Sequence, residues 1–125
     1  MSSAAVMTLP PEPRSVGAAR RFVQHHCDVA HLDADSCENA LLLTSELVTN
    51  AVLHGRSELS VEFSLGPHRV HVAVVDENSR LPVPVPEDRD ALDGRGLVLV
   101  RAISSAWGVQ ERGLSKAVWF ELRIA

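Results

Sequence analysis

A chain of 125 residues fits one domain with a core of its own. Hydrophobic residues at 46% and charged residues at 22% exclude a disordered polar chain. Twelve basic against sixteen acidic residues leave a net charge of −4, which argues against a broad phosphate-tracking nucleic-acid surface. No apolar run reaches the ~18 residues of a membrane span, and Met1–Leu9 lacks the charged-then-apolar pattern of a secretory signal. Cys27 and Cys37 form neither a CxxC pair nor a disulfide framework, so the expected compartment is the reducing cytoplasm.

Residues 1–14 read as an extended lead-in, stiffened by Pro10, Pro11 and Pro13, with a short strand over Ala5–Leu9. Val16, Ala19, Val23 and Cys27 fall at helical spacing and predict a first helix over Ser15–Cys27. Asp33 to Ser36 reads as a helix start, with Asp35 three residues before Glu38 in the manner of a capping box, and a second helix is expected from about Ser36 to His54. Leu59, Val61, Phe63 and Leu65 then alternate with Glu58, Ser60, Glu62 and Ser64. After a turn at Gly66-Pro67, Val70, Val72 and Val74 alternate likewise up to Asp76, which predicts a hairpin with one buried face. The stretch from Arg80 to Asp93 is irregular, with alternate prolines and then the acids Glu87, Asp88, Asp90 and Asp93. Gly94-Arg95-Gly96 opens a third helix over Leu97–Ala106, and Trp107–Arg112 with Lys116–Ile124 closes the chain as a hairpin around Gly113. Two one-faced hairpins and three helices imply an α+β fold: a mixed, mostly antiparallel sheet covered by helices on one side.

The second helix carries an anomaly. At 100° per residue Leu43, Asn50 and His54 fall within ~20° of one line, with Glu46 one turn before Asn50. The polar seam Asn39–Glu46–Asn50–His54 is bordered by Leu42 and Leu53 on one side and by Leu43 and Leu47 on the other. It is a polar stripe inside an apolar surface. Two readings stand. Glu46 merely reaches solvent at the helix edge, or a carboxylate and a carboxamide are set side by side to polarise a hydroxyl and hold a hard cation such as Mg²⁺. Gly94-Arg95-Gly96 before an apolar helix is likewise either a plain joint or a backbone cradle for phosphate.

Taken together, these residues resemble a family. Ser45-Glu46-Leu47-Val48-Thr49-Asn50-Ala51-Val52-Leu53-His54-Gly55 is similar to the N box of the ATPase superfamily of gyrase, heat-shock chaperones and histidine kinases. The branch it resembles is the bacterial anti-sigma-factor serine/threonine kinases. In order, Asp76-Glu77-Asn78 resembles the first glycine box, Gly94-Arg95-Gly96-Leu97 the second, and Lys116-Ala117-Val118-Trp119-Phe120 the closing strand.

The resemblance implies a two-layer α/β sandwich of the Bergerat type, a single ATP-binding domain over residues 1–125, with residues 77–93 as a short lid. It implies ATP and Mg²⁺ as ligands, with Glu46 as general base and Asn50 holding the metal. Asp76 would receive the adenine amino group. Asn78, Gly94, Arg95, Gly96, Leu97 and Lys116 would line the nucleotide. The implied partners are a sigma factor and an anti-sigma antagonist protein, without nucleic acid or membrane, and the implied state is a homodimer. Asp76-Glu77-Asn78-Ser79-Arg80 lacks both glycines of the usual first box, and Ala117 stands where a threonine is common. A non-catalytic binding module of the same fold is the alternative.

Three further groups have plainer readings. His25, His26, Cys27, His31 and Cys37 lack zinc-finger spacing and read as structural or surface residues. His54 reads as the end of the N box rather than a phosphoacceptor. Trp119 is either a half-covered sheet residue or a partner surface.

Overall fold

In the computed structural model, residues 3–54, 57–77 and 98–124 are described. Five strands form one sheet in the order β1-β2-β3-β5-β4: β1 Ser3–Leu9, β2 Leu59–Leu65, β3 Arg69–Asp76, β4 Ala106–Arg112 and β5 Ser115–Arg123. All four ladders are antiparallel. Helices α1 (Arg14–Val29) and α2 (Ala34–His54) pack side by side, α1 near β1 and β2, α2 over β3 and β5. Residues 98–103 form a third helical segment, α3. The expected α+β sandwich is therefore what the chain folds into.

The core follows from strand parity. Leu59, Val61 and Phe63 on β2, Val70, Val72 and Val74 on β3, and Phe120 and Leu122 on β5 are buried on one face. They meet Ala19 and Val23 of α1, Leu43, Leu47 and Val48 of α2, and Val100 of α3. Each such side chain is removed from water on both sides, which stabilises by roughly 1.5–3 kcal/mol apiece. Among the described residues the opposite face carries no helix, and long side chains lie across it. Arg112 reaches from β4 across β5 and β3 to both carboxylate oxygens of Glu62 on β2, at 3.1 and 2.9 Å. Trp119 stacks on His71 with centroids 5.3 Å apart and lies flat against Gly108, where an added Cβ would be 2.9 Å from its ring.

The corner between α1 and α2 is closed by the backbone. Leu32 N–H donates to Cys27 O and His31 N–H to Asp28 O, both at 3.1 Å, the paired bonds of a Schellman turn. His31 occupies the left-handed position at φ 57°, where glycine is the usual residue. Asp33, not Asp35, caps α2: its Oδ2 accepts the Ser36 N–H at 3.0 Å, and the helix begins two residues before the expected start. Hydrogen bonds from Ser36 hold the Asp33 carboxyl below its ordinary range. At the other end of the chain, Gly113 takes φ 64° in the β4–β5 turn. The helical run ends at residue 103 and β4 starts at Ala106, so the expected helix end at Ala106 is corrected: Ser105 N–H is already committed to Glu121 O at 2.7 Å. Among the described residues no helix is long and apolar enough to cross a membrane.

Candidate functional site

Four residues singled out in the sequence are placed by the fold: Glu46, Asn50, Asp76 and Lys116. Arg20 of α1 donates to Ser45 Oγ at 2.6 Å, which marks the flank of α2 that faces α1. From Ser45, helical rotation carries Glu46 about 100° and Asn50 about 140° around the axis. Both therefore lie on the flank away from α1, both half-buried, and about 6 Å apart along the axis. The leucines beside them separate cleanly. Leu43 and Leu47 are in the core at 0% and 3% exposure, whereas Leu42 and Leu53 are exposed at 37% and 70%. The polar seam is thus the border between the sheet-facing side of α2 and an outward apolar strip.

Asp76 ends β3. Its ladder partners are Leu59 on β2 and Lys116 on β5, and by parity it faces the helix layer with Val74 and Val118. Among the described residues it is the one charged side chain in the buried class. The topology brings it to the same end of the molecule as the last turns of α2. The chain leaves α2 at His54 and enters β2 at Leu59, so the strand position beside Asp76 lies at most ~17 Å along the chain from the helix end. Ser57 in this link accepts the Glu77 N–H at 3.2 Å and holds the end of β3. Ser57 escaped the sequence reading; a small hydroxyl between the end of α2 and a strand is its only signal.

Lys116 is half-buried and directly opposite Asp76. Ala117 is opposite Val75, so its methyl belongs to the open face and not to the side of Asp76. Alanine in place of threonine at this position therefore removes nothing from the immediate surroundings of Asp76. Asn78, Gly94, Arg95, Gly96 and Leu97, and all of the expected lid from 78 onward, lie outside the described residues. A depression of about 370 Å³ at this end is lined by three acids, Glu58, Asp76 and Glu77, together with Thr8, Ser60, Val75 and Ser115; neither Glu46 nor Asn50 lines it.

The histidines and cysteines of the first helix do not gather around a point. His26 packs against Phe63 at 5.4 Å between centroids, with Phe22 edge-on at 4.7 Å, so it is a packing residue between α1 and the sheet. Burial, and secondarily the neighbouring His25, push its pKa down. Among the described residues no three His, Cys, Asp or Glu side chains form a metal site. His54 closes α2 and is exposed, where a basic group favours the negative helix end.

A family model described as a histidine kinase-like ATPase domain matches residues 9–122. The chain belongs to this histidine kinase-like ATPase family. Two solved structures share the fold of the ATPase domain. The structure of RsbU and RsbW domains from Mycobacterium tuberculosis superposes with a TM-score of 0.75 at 17% identity, over 97% of this chain and 32% of that one. The present chain thus spans about a third of that protein's length. A chain of the SiaB–SiaC complex from Pseudomonas aeruginosa superposes with a TM-score of 0.64 at 12% identity, over 96% of this chain and 88% of that one. No curated protein matches the chain in sequence.

The residues present suit Mg²⁺ chemically. Asn50 offers a neutral oxygen at a half-buried position, the hard donor that Mg²⁺ accepts when phosphates and water complete its shell.

Proposed function

We propose that this ATPase domain is an anti-sigma serine/threonine kinase: it binds ATP with Mg²⁺, phosphorylates a serine of an antagonist protein, and sequesters a sigma factor. The observation that carries this reading is the place of Asp76, a carboxylate that ends β3 on the helix-facing side of the sheet, at the end of the molecule where α2, the helix of Glu46 and Asn50, also ends. The N-box resemblance to the anti-sigma branch supports the choice of substrate. The shared fold with an RsbW domain, and with a chain solved in complex as SiaB–SiaC, supports it at the level of architecture. The reading places the protein in the cytoplasm as a homodimer, acting without nucleic acid or membrane.

The roles follow from the chemistry of each side chain. Asp76 accepts the adenine amino hydrogen, as a carboxylate oxygen can. Asn50 is the oxygen ligand for Mg²⁺, which when bound neutralises phosphate charge. Glu46 takes the proton of the attacking serine hydroxyl, and its place on the border of the apolar strip limits competing water. Lys116 is beside Asp76 in the ladder and supplies positive charge at that end. Asn78, Gly94, Arg95, Gly96 and Leu97 complete the nucleotide cradle.

The test is incubation with γ-labelled ATP, Mg²⁺ and antagonist proteins encoded near this chain's gene. Label on a serine of one of them supports the kinase. ATP-dependent retention of a partner without label supports the binding module, which the glycine-free Asp76-Glu77-Asn78 favours. Absence of any ATP binding refutes both.

A further inference from the structure

Two thiols meet at the corner between α1 and α2. Cys27 lies in the last turn of α1 and Cys37 in the first turns of α2, and both are buried, at 1% and 8% exposure. Both belong to the one buried core cluster. Gln24, one turn before Cys27 on the same helix, places Nε2 3.3 Å from Cys37 Sγ. Gln24 and Cys27 are three residues apart and neighbours on one face of α1, so the Cys37 sulfur that meets Gln24 lies beside Cys27 as well. The corner that brings them together is rigid. Cys27 O accepts the Leu32 N–H, and the Cys37 N–H donates to Asp33 O at 3.0 Å, so each cysteine's own backbone is part of the turn. With no third ligand gathered at this place among the described residues, a resident metal is not what the pair is built for. The chemistry left to two adjacent thiols is oxidation.

We propose that Cys27 and Cys37 form an oxidisable pair that a hydroperoxide converts to a disulfide across the α1–α2 corner. Cys37 is the sulfur that meets the oxidant, being the more exposed and the one that accepts the Gln24 N–H. Burial, and then the neighbouring Cys37, push the Cys27 thiol up to about 12, so it is not the sulfur that reacts first. In the first step the Cys37 sulfur attacks a peroxide oxygen. The O–O bond breaks, the thiol proton leaves with the departing oxygen as water, and Cys37 becomes a sulfenic acid. In the second step the Cys27 sulfur displaces hydroxide from the Cys37 sulfur, and the Cys27 proton leaves with it as a second water. The two thiols lose two electrons and the peroxide gains them. The new bond closes the short loop between the helices and raises the melting temperature by several degrees.

The experiment treats the whole folded protein with a small excess of hydrogen peroxide, quenches, unfolds in iodoacetamide and measures intact mass. The expected product is a monomer lighter by two hydrogens and unalkylated, restored to two alkylated thiols by dithiothreitol. Cys27→Ser should stop at a Cys37 sulfenic acid that dimedone traps, and Cys37→Ser should give no trapped product. The wild-type measurement decides even where a variant fails to fold. Two alkylated thiols after peroxide, stable oxygen adducts on wild type, or a disulfide between two chains would overturn the proposal.

Discussion

Thr44 offers a sharp test of the core. It sits on α2 at 0% exposure, and its Oγ1 is the buried side-chain polar atom without a hydrogen-bond partner among the described residues. An unpaired buried hydroxyl costs about 1–3 kcal/mol. Thr44→Val keeps the branched shape, removes that cost, and adds a buried methyl worth about 0.8 kcal/mol. Against this, the methyl is slightly larger than the hydroxyl, and crowding in a packed core takes back about 1 kcal/mol. The net is a gain of about 1–3 kcal/mol, and the expectation is set at its lower part, about 1–2 kcal/mol, because area-based gains are upper estimates. For a chain of this size that is a melting temperature higher by roughly 3–8 °C. It is also a urea midpoint higher by about 0.5–1 M with an unchanged slope. Chemical and thermal unfolding followed by circular dichroism reads both. Glu46 and Asn50 lie on another side of the helix, so nucleotide affinity should stay the same. A neutral or destabilising Thr44→Val would refute the reasoning, since the hydroxyl would then be bonded in solution, for instance to the carbonyl one turn back.

The catalytic assignment predicts that two neighbours on α2 fail differently. Glu46→Gln should lower single-turnover phosphoryl transfer by about two to four orders of magnitude while leaving ATP affinity nearly intact. Asn50→Ala should weaken Mg²⁺-dependent ATP binding itself, with metal-free nucleotide affected less; calorimetry with and without EDTA separates the two. Because the folded-state pKa of His26 is lowered, the unfolded chain binds more protons as pH falls through 6.5, so stability is full above that value and lost below it. The stability gap between wild type and His26→Phe, which keeps the stack on Phe63, should narrow or reverse in favour of the variant from pH 7 to pH 5; a pH-independent gap would rule the effect out. Gly108→Ala should displace Trp119, destabilise by roughly 1–3 kcal/mol and shift tryptophan emission, because the Cβ would meet the ring at 2.9 Å.

Much of this architecture is legible in the residues. Strand alternation gives both hairpins because one face is buried and the other wet, and Asp76 ends its strand where the alternation stops. The N-box pattern gives the flank of α2 because helical rotation alone separates Glu46 and Asn50 from the buried face. Less legible are features that depend on distant pairing. The Glu62–Arg112 bridge spans 50 residues and three ladders, and no local pattern announces it. Ala117 reads as a loss beside Asp76 until the register puts it on the other face. Cys27 and Cys37 are unremarkable as a spacing, and become neighbours only because His31 accepts a left-handed turn between them.

The N-terminal strand has a practical consequence for anyone working with fragments. The family match begins at residue 9, where β1 ends, yet β1 pairs along its whole length with β2. A fragment started at Pro10 would leave Leu59–Leu65 as a bare edge whose inner side carries Leu59, Val61 and Phe63, with one ladder of backbone groups open to any passing strand. Such a fragment keeps every residue assigned here to ATP chemistry, and it should still aggregate where the full chain does not. Boundaries drawn by family resemblance mark what the relatives have in common; residues 3–9 here serve this particular sheet as its guard rail.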